Sequence, residues 1–415
     1  MRLFYNIAIR FYEAFIYIGS LFNDKAKSWK RGRRYIFTSL KLVLKKCDNV
    51  IWVHCASYGE FEQGKPLIEK IREQHPEYKI LLTFFSPSGY RHFHNYEKAD
   101  FVFYLPLDSH HNARRFLEIV RPKYIFFIKY EYWFNYIHEA HKRHIPFYVV
   151  SAIFRENQYF FRIYGHWFRV QLRKITYFFV QDDQSKYLLH KIGIQQCETY
   201  GDTRFDTVAE TIRHVAPDET TRNFCRGKKV LIAGSTWEPD ERILHELLRY
   251  TDYSLILTPH EVNATRLNGI KQLFGDYPMA CYSEARAQNR QDFEGVRVLL
   301  IDTIGILKML YQYGEIAYIG GGFGRGIHNT LEAATYGMPI LFGPNYTHFK
   351  EACDLIGRKG AFCVHNGVEL TQKFLELTQD EHLLNEARHH SKAYVESKTG
   401  VTDKILQAVF PSYSL

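Results

Sequence analysis

The stretch IWVHCASYGEFEQGKPLIEKI, residues 51–71, decides the fold class. It begins as a short apolar run, breaks at residues 57–59, and continues with Leu67, Ile68 and Ile71 at helical spacing. A strand that turns directly into a helix is the repeating unit of a parallel sheet. Glu60 stands in the first helical turn, where the helix dipole favours a carboxylate and where a base facing a ligand would also lie.

The same alternation of strand and helix recurs along the chain in two series. The first has apolar runs at 50–55, 79–85, 101–105, 123–128, 146–150 and 177–181, and the second at 229–235, 254–258, 297–301, 315–320, 338–342 and 361–364. This pattern predicts an α/β protein of two doubly wound, Rossmann-like domains, with ligands at the carboxyl ends of the strands in a central cleft. The polar stretch 206–228 marks the boundary, so we expect domains at 47–212 and 213–415.

The net charge of +9 belongs entirely to residues 1–46, which hold eleven basic and two acidic side chains. Residues 3–22 are apolar and aromatic but contain Arg10 and Glu13, so they lack the run of about 20 apolar residues typical of a spanning helix. An aromatic helix followed by KAKSWKRGRR indicates a segment that associates with an anionic membrane surface. The alternative is a helix packed on the body, with a solvated basic loop. Nucleic acid is a poor partner because the body shows no basic groove.

A glycine-rich motif, AYIGGGFGRGIHNTLEAATYGMPILFGP, occupies residues 317–344. Its spacing fits neither the dinucleotide fingerprint nor the P-loop. Free amides of a helix starting near Asn329 would bind a phosphate, and Glu332 in its first turn would accept hydrogen bonds from ribose hydroxyls. Close packing alone would also explain glycines here, but not the adjoining His-Asn pair and the early glutamate.

The motif resembles the nucleotide-donor site of GT-B glycosyltransferases, in particular the 3-deoxy-D-manno-octulosonic acid (Kdo) transferases of lipopolysaccharide assembly, glycosyltransferase family 30. The resemblance covers nearly the whole chain. It rests on short blocks in the family's order: HCASYGE (54–60), FFSPSG (84–89), YLPLD (104–108), KYEYWFN (129–135), GDTRFD (201–206), AGSTWEPDE (233–241), LILTPH (255–260), DTIGILKMLY (302–311) and GGFGRGIHNTLEAA (321–334).

The resemblance implies a GT-B fold and the transfer of Kdo from CMP-Kdo to a lipid A precursor of the lipid IVA type. It places the protein at the cytoplasmic face of a Gram-negative inner membrane. An acceptor hydroxyl needs a base, for which we choose Glu60, with inverting displacement at the sugar and with Glu131 and Arg204 supporting the transition state. Matching positions assign CMP binding to Pro259, His260, Ile304, Gly305, Ile306, Asn329, Thr330, Leu331 and Glu332. We expect no cofactor and no metal, because the chain has no DxD motif before a suitable strand.

The chain departs from the family pattern at several block positions, namely Lys129, Phe134, Arg204, His260 and Ile306. Two other classes of function stay open. One is a GT-B enzyme that uses a UDP-sugar, either a transferase or an epimerase, against which the HCASYGE and KYEYWFN blocks argue. The other is a non-catalytic membrane-bound scaffold, against which the retention of Glu60 and Glu332 argues.

Overall fold

The computed structural model describes residues 1–45, 47–214 and 216–410, with His214 described by its backbone alone. The chain divides into two compact units, the first made of Met1–Thr207 with the chain from Gly400 onward, and the second of Val208–Thr399. Each unit contains a parallel sheet of seven strands with helices between them. The prediction of a two-domain α/β protein is confirmed.

The first unit is built on a sheet with the strand order β3-β2-β1-β4-β5-β6-β7. The strands are β1 (Val50–Cys55), β2 (Lys79–Phe84), β3 (Phe101–Tyr104), β4 (Pro122–Ile128), β5 (Phe147–Ala152), β6 (Tyr177–Val180) and β7 (Cys197–Thr199). Strand β1 is buried along its whole length, which explains its unbroken apolar run. The chain passes outward through β2 and β3 and then crosses to β4, so the strand order reverses between β1 and β4.

Helices cover both faces of this sheet. They are α1 (Arg2–Gly19), α2 (Asp24–Arg33), α3 (Ile36–Leu44), α4 (Tyr58–Gln74), α5 (Pro87–Phe93), α6 (His110–Val120), α7 (Phe134–Lys142), α8 (His166–Leu172), α9 (Asp183–Lys191), α10 (Arg204–His214), and, from the end of the chain, α20 (Val401–Val409), with 3-10 turns at Tyr159–Phe161 and Ile163–Gly165. No helix in the described ranges is long and apolar enough to cross a membrane.

The domain boundaries differ from those predicted at both ends of the second domain. The division falls between Thr207 and Val208 rather than after residue 212, and α20 belongs to the first unit rather than the second. Asp206 explains the return of the chain, because its carboxylate accepts hydrogen bonds from the amides of Gly400 (2.6 Å) and Thr402 (2.7 Å). The apolar residues of α20 then join the core beneath β1 and α4. Residues 411–415 of the predicted 213–415 domain lie outside the described residues.

The predicted segment 1–46 forms helices α1 to α3, which pack on the first unit. Ile9, Trp29, Ile36 and Leu40 are buried. Most of its basic side chains are exposed, but Arg33 is only partly exposed and contacts backbone carbonyls, a departure from the predicted solvated basic loop. Lys46, one of the eleven basic residues counted in this segment, lies outside the described residues.

The second unit is built on a sheet with the strand order β10-β11-β9-β8-β12-β13-β14, so its order reverses between β8 and β12. Its strands are β8 (Val230–Thr236), β9 (Ser254–Pro259), β10 (Met279–Cys281), β11 (Val298–Leu300), β12 (Ile316–Ile319), β13 (Ile340–Phe342) and β14 (Ala361–Cys363). Its helices are α11 (Glu219–Cys225), α12 (Glu238–Leu247), α13 (Ala264–Leu273), α14 (Tyr282–Ala287), α15 (Leu307–Leu310), α16 (Leu331–Thr335), α17 (Lys350–Gly357), α18 (Gly367–Gln379) and α19 (Glu381–Glu396), with a 3-10 turn at Tyr311–Tyr313.

Candidate active site

Glu60 occupies the turn from β1 into α4, as the sequence predicts. Ser57 precedes the helix in an extended conformation, and Glu60 follows in the first turn. The Ser57 hydroxyl donates a hydrogen bond to the Glu60 carboxylate, and the Glu60 side chain is nearly buried, with 7% exposure. The helix start favours negative charge at this place, and Ser57 holds the carboxylate in one orientation.

Glu131 follows β4, the strand beside β1, so the reversal of strand order brings two carboxylates to one point of the sheet edge. Burial and, to a smaller extent, the charge on Glu60 together raise the pKa of the half-buried Glu131 carboxyl to about 7, while the Trp133 indole opposes the change. Lys129, between β4 and Glu131, adopts a φ of +73°, an unusual conformation for a residue other than glycine. Backbone strain of this kind clusters at functional sites.

Glu131→Gln is expected to make stability less dependent on pH. The pKa of Glu131 is about 7 in the folded chain against an ordinary 4.5, so wild-type stability falls as pH rises from about 4.5 to 7 and the buried group ionises beside Glu60. Between pH 5 and pH 8, the free energy of unfolding should shift by about 2 kcal/mol in favour of the variant. Urea unfolding over this pH range, with the exposed Glu73→Gln as control, measures the shift. If the free energies of unfolding of wild type and Glu131→Gln differed by the same amount at both pH values, the raised pKa of Glu131 would be contradicted.

Arg204 lies in the first turn of α10, where the helix dipole does not favour a cation. Asp202 holds it there by accepting hydrogen bonds from the Arg204 backbone amide (2.9 Å) and from Nε (2.8 Å). The same carboxylate accepts a hydrogen bond from Gln63 of α4 at 2.9 Å. Arg204 is thereby connected to the first turns of the helix that carries Glu60, and all three predicted catalytic residues lie in the first unit.

The residues predicted to bind a nucleotide lie together in the second unit, after three of its strands. Pro259 ends β9 and His260 follows it, the segment 304–306 follows β11, and the segment 329–332 follows the loop after β12. Because the strands are parallel, these segments share the carboxyl edge of the sheet. Ile304 is 85% exposed, and Gly305 has a φ of +91° with open space around it.

Helix α16 begins at Leu331 rather than at Asn329 and has only five residues, so its dipole is weaker than the sequence implied. Asn329 lies two residues before it, accepting a hydrogen bond from the Leu331 amide (3.0 Å) and donating one to Glu332 (3.1 Å). The Thr330 hydroxyl is buried without a partner among the described residues. The charge of Glu332 also acts on Tyr336, whose pKa is raised to about 12 mainly by burial.

Sequence reasoning missed a stack of three rings at the point where the second sheet reverses. Trp237 follows β8, and its indole donates a hydrogen bond to Nε2 of His328 at 3.3 Å. The His260 ring stacks on His328 at 4.3 Å and contacts Trp237 at 4.8 Å. Burial and, to a smaller extent, the neighbouring His260 together lower the pKa of His328 to about 4, so the ring is neutral at physiological pH. The unusual tryptophan in AGSTWEPDE was the available signal.

The glycine-rich loop has both structural and open positions. A Cβ on Gly320 would meet the backbone of Ser235 at 2.4 Å, and one on Gly322 would meet the Gly343 amide at 2.5 Å. These two glycines therefore serve close packing. Asp240 fixes the loop by accepting a hydrogen bond from the Gly321 amide at 2.9 Å. The alternative explanation of the glycines by packing thus holds for part of the motif.

A search of the described part of the chain finds no cluster of three or more His, Cys, Asp or Glu side chains able to hold a metal ion. Independence from metals stays a prediction, because a substrate phosphate can supply ligands of its own.

Comparisons with known proteins agree with these features. Residues 29–207 match the profile of a family described as 3-deoxy-D-manno-octulosonic-acid transferase (kdotransferase). A protein of that name from Aquifex aeolicus is 28% identical over 347 residues, which cover 80% of this chain and 87% of that protein. A bifunctional glycosyltransferase/methyltransferase from Fusobacterium nucleatum is 27% identical over 346 residues, 81% of this chain, which spans only about half (53%) of that relative.

The fold is shared with a solved UDP-N-acetylglucosamine 2-epimerase, at a TM-score of 0.62 and 15% identity over 87% of this chain and 96% of that one. A likeness at this identity concerns the fold alone. The similarity to sequence relatives extends over most of the chain, and the region that matches the family profile contains Glu60 and Glu131. The chain is therefore similar to Kdo transferases, by the family match over residues 29–207 and by relatives of that name over most of its length, and its two-domain fold is that of GT-B glycosyltransferases.

Proposed function

We propose that this protein transfers Kdo from CMP-Kdo to a lipid A precursor of the lipid IVA type in lipopolysaccharide biosynthesis. The observation that carries the proposal is the pair Glu60 and Glu131 at the reversal point of the first sheet, within the region that matches the family profile. Two carboxylates whose environments differ are suited to a reaction in which one takes a proton and the other supports developing charge.

In this mechanism Glu60 removes the proton from the acceptor hydroxyl as the sugar carbon is attacked, and the displacement inverts the anomeric centre. Ser57 keeps the Glu60 carboxylate oriented. Glu131, with a pKa of about 7, carries a proton in part of the population at neutral pH and can donate a hydrogen bond in the transition state. Arg204 is held in position by its hydrogen bond to Asp202, and its positive charge stabilises the negative charge that develops on the donor.

The second unit is proposed to hold CMP through the residues at the edge of its sheet. Glu332 and Asn329 face the ribose, and the backbone amides around Thr330 and Leu331 bind the phosphate. Arginine is the family residue at the position of His260. The stack of His260 on His328 and Trp237 offers an aromatic surface to the base instead of a full charge.

The function is tested by incubating the full chain with CMP-Kdo and a tetraacylated lipid A precursor, followed by mass spectrometry of the lipid. We expect one or more Kdo units on the lipid, with equal rates before and after EDTA treatment because no metal is proposed. UDP-sugars replace CMP-Kdo in a parallel reaction. Transfer from a UDP-sugar, or loss of activity with EDTA that Mg²⁺ restores, would contradict the corresponding part of the proposal.

We also propose that α1 and the basic side chains after it lie on the anionic cytoplasmic surface of the inner membrane. Several large apolar side chains of this region are exposed: Leu3, Phe4, Ile7, Phe11, Phe15, Ile18, Leu21 and Phe22. Exposed basic side chains adjoin them on α1, α2 and α3: Arg10, Lys25, Lys27, Lys30, Arg31, Arg34, Lys41 and Lys45. An apolar surface beside positive charge suits a bilayer rich in anionic lipid.

Replacing Phe4, Phe15 and Phe22 with serine is expected to reduce binding to anionic vesicles by roughly 100-fold, since each ring loses contact with the bilayer. These side chains are 68%, 71% and 88% exposed, so the fold should be unaffected. Vesicle sedimentation measures the loss, and Val368→Ser, which is 67% exposed on α18, is the matched control. Unchanged sedimentation of the triple variant would show that the contact lies elsewhere.

A further inference from the structure

Arg33 is the last residue of α2, and its guanidinium is turned toward the carboxyl edge of the first sheet. Nε donates a hydrogen bond to the Leu105 carbonyl at 2.8 Å, and one terminal nitrogen donates to the Phe85 carbonyl at 2.7 Å. The other donates to Trp29 of its own helix at 3.1 Å. Phe85 and Leu105 follow β2 and β3, so the guanidinium lies at the same sheet edge as Glu60 and Glu131.

The guanidinium is enclosed by aromatic rings and not by acids. Its central carbon lies 3.9 Å from the ring centre of Trp29, 4.7 Å from Tyr104 and 5.0 Å from Phe85. In the described part of the chain, the groups acting on its charge are the hydroxyls of Tyr104, Tyr136 and Tyr12, with no carboxylate among them. Burial lowers the pKa of Arg33 to about 9, which shows how poorly its charge is compensated.

The three carbonyls use three of the five N–H groups of the arginine, so two donors are left over. One more donor adjoins the ring of Phe85. The Trp29 indole N–H is buried without an acceptor among the described residues, and the indole packs against Phe85 at 5.8 Å. The Trp133 indole also packs on Phe85, at 4.7 Å, but it faces the Glu131 carboxyl. A cation and several donors without acceptors are costly to bury unless an anion completes them.

Tyr12 of α1 links this group to the catalytic carboxylates. Its ring stacks near Phe85 at 6.3 Å, and the pKa of its hydroxyl is raised by burial, lowered by the Arg33 charge and raised by Glu131. Arg33 and Glu131 therefore both lie within electrostatic range of the same side chain. An anion held by Arg33 would belong to the molecule that also reaches Glu131.

We propose that Arg33, with the indole of Trp29, binds a phosphate monoester of the glycolipid acceptor. This inference rests on the proposed function. A guanidinium recognises phosphate oxygens through paired N–H groups, and a further donor arriving from a second side chain suits a tetrahedral group better than a planar carboxylate. Arg33 then selects phosphorylated acceptors and fixes their position relative to Glu60, rather than contributing to the positive membrane surface.

The test compares two acceptors in neutral detergent micelles: the tetraacylated precursor that carries phosphate groups, and the same lipid after enzymatic dephosphorylation. We expect wild type to show a KM at least 10-fold lower for the phosphorylated lipid. Arg33→Gln should raise that KM by about 10- to 100-fold and leave the KM for the dephosphorylated lipid unchanged, so that the preference disappears. Arg33→Lys, which keeps the positive charge, should recover part of the preference for the phosphorylated lipid. Arg249→Gln, at an exposed arginine of the second unit, is the control.

A purely structural role for Arg33 would lower the melting temperature and reduce turnover with both lipids equally, and that result would overturn the proposal. Equal KM values for the two lipids with wild type would also overturn it, without any need for a folded variant. If the selectivity of Arg33 variants arises only when anionic phospholipid is added to the micelles, the bound phosphate belongs to the membrane and the acceptor assignment is wrong. Absence of transfer to either lipid would instead refute the proposed function.

Discussion

Glu60→Gln is expected to reduce the rate of Kdo transfer by about 10²- to 10⁴-fold, the usual effect of losing a general base. The amide keeps the shape of the side chain and can still accept the hydrogen bond from Ser57, but it cannot take the acceptor's proton. CMP affinity should be nearly unchanged, since the proposed nucleotide residues belong to the other unit. Single-turnover rates with CMP-Kdo and the lipid precursor, beside calorimetric titration of CMP, measure both quantities.

Two further measurements distinguish the role of Glu60 from that of Glu131. The exposed Glu73→Gln, on the same helix, should behave as wild type. Removing the Glu60 charge should also lower the pKa of Glu131 from about 7, since that charge contributes to the shift, and the pH–rate profile of any residual activity should move to lower pH. Wild-type turnover by Glu60→Gln, together with inactive Glu131→Gln, would transfer the role of base to Glu131.

The parts of the site that were predicted from sequence are those encoded by local pattern. The strand-to-helix turn at residues 51–71 placed Glu60 at the sheet edge because a buried strand and an amphipathic helix are both visible in the sequence. That Glu131 approaches Glu60 depends on β4 pairing with β1, which no local pattern reveals. Likewise β7 and β10, of three residues each, were not predicted, because they lack the longer apolar runs that indicated the equally short β11, β13 and β14.

Tertiary contacts explain the remaining differences. The sequence analysis counted Arg33 among the exposed basic residues. Its guanidinium instead donates hydrogen bonds to the carbonyls of Phe85 and Leu105, which lie more than fifty residues away in sequence. Helix α20 joins the first unit because Asp206 caps it, a contact between residues almost two hundred positions apart. Trp237 and His328 meet because the order of the second sheet reverses between β8 and β12. In each case the residue is visible in the sequence, but its contact partner is distant in sequence and is known only from the fold.

Glu332→Ala is expected to weaken CMP binding by roughly 10- to 150-fold. A carboxylate that accepts hydrogen bonds from the ribose hydroxyls contributes about 1.5–3 kcal/mol, and about 1.4 kcal/mol corresponds to a factor of ten. The Asn329 side-chain oxygen accepts a hydrogen bond from the Leu331 amide at 3.0 Å. Its side-chain nitrogen donates to the Glu332 carboxylate at 3.1 Å and so holds that carboxylate in place before the nucleotide binds. Acceptor affinity should barely change, because the proposed acceptor residues lie in the other unit.

Glu332 could instead serve only the start of α16, and the chain offers a matched control for that explanation. Glu369 lies in the first turn of α18 in the same unit and accepts a hydrogen bond from Asn366 at 3.2 Å, as Glu332 does from Asn329, but no nucleotide is predicted there. Glu369 also accepts a hydrogen bond from the His365 amide at 3.0 Å. Loss of such a carboxylate costs about 0.3–1 kcal/mol of stability. Glu369→Ala should therefore lower the melting temperature slightly and leave CMP affinity intact, whereas Glu332→Ala should weaken CMP selectively. Equal CMP affinity and equal melting temperatures for the two variants would remove Glu332 from the nucleotide site. The five-residue α16 is too short for its dipole to hold the phosphate alone, so the proposed nucleotide site depends on side chains such as Glu332.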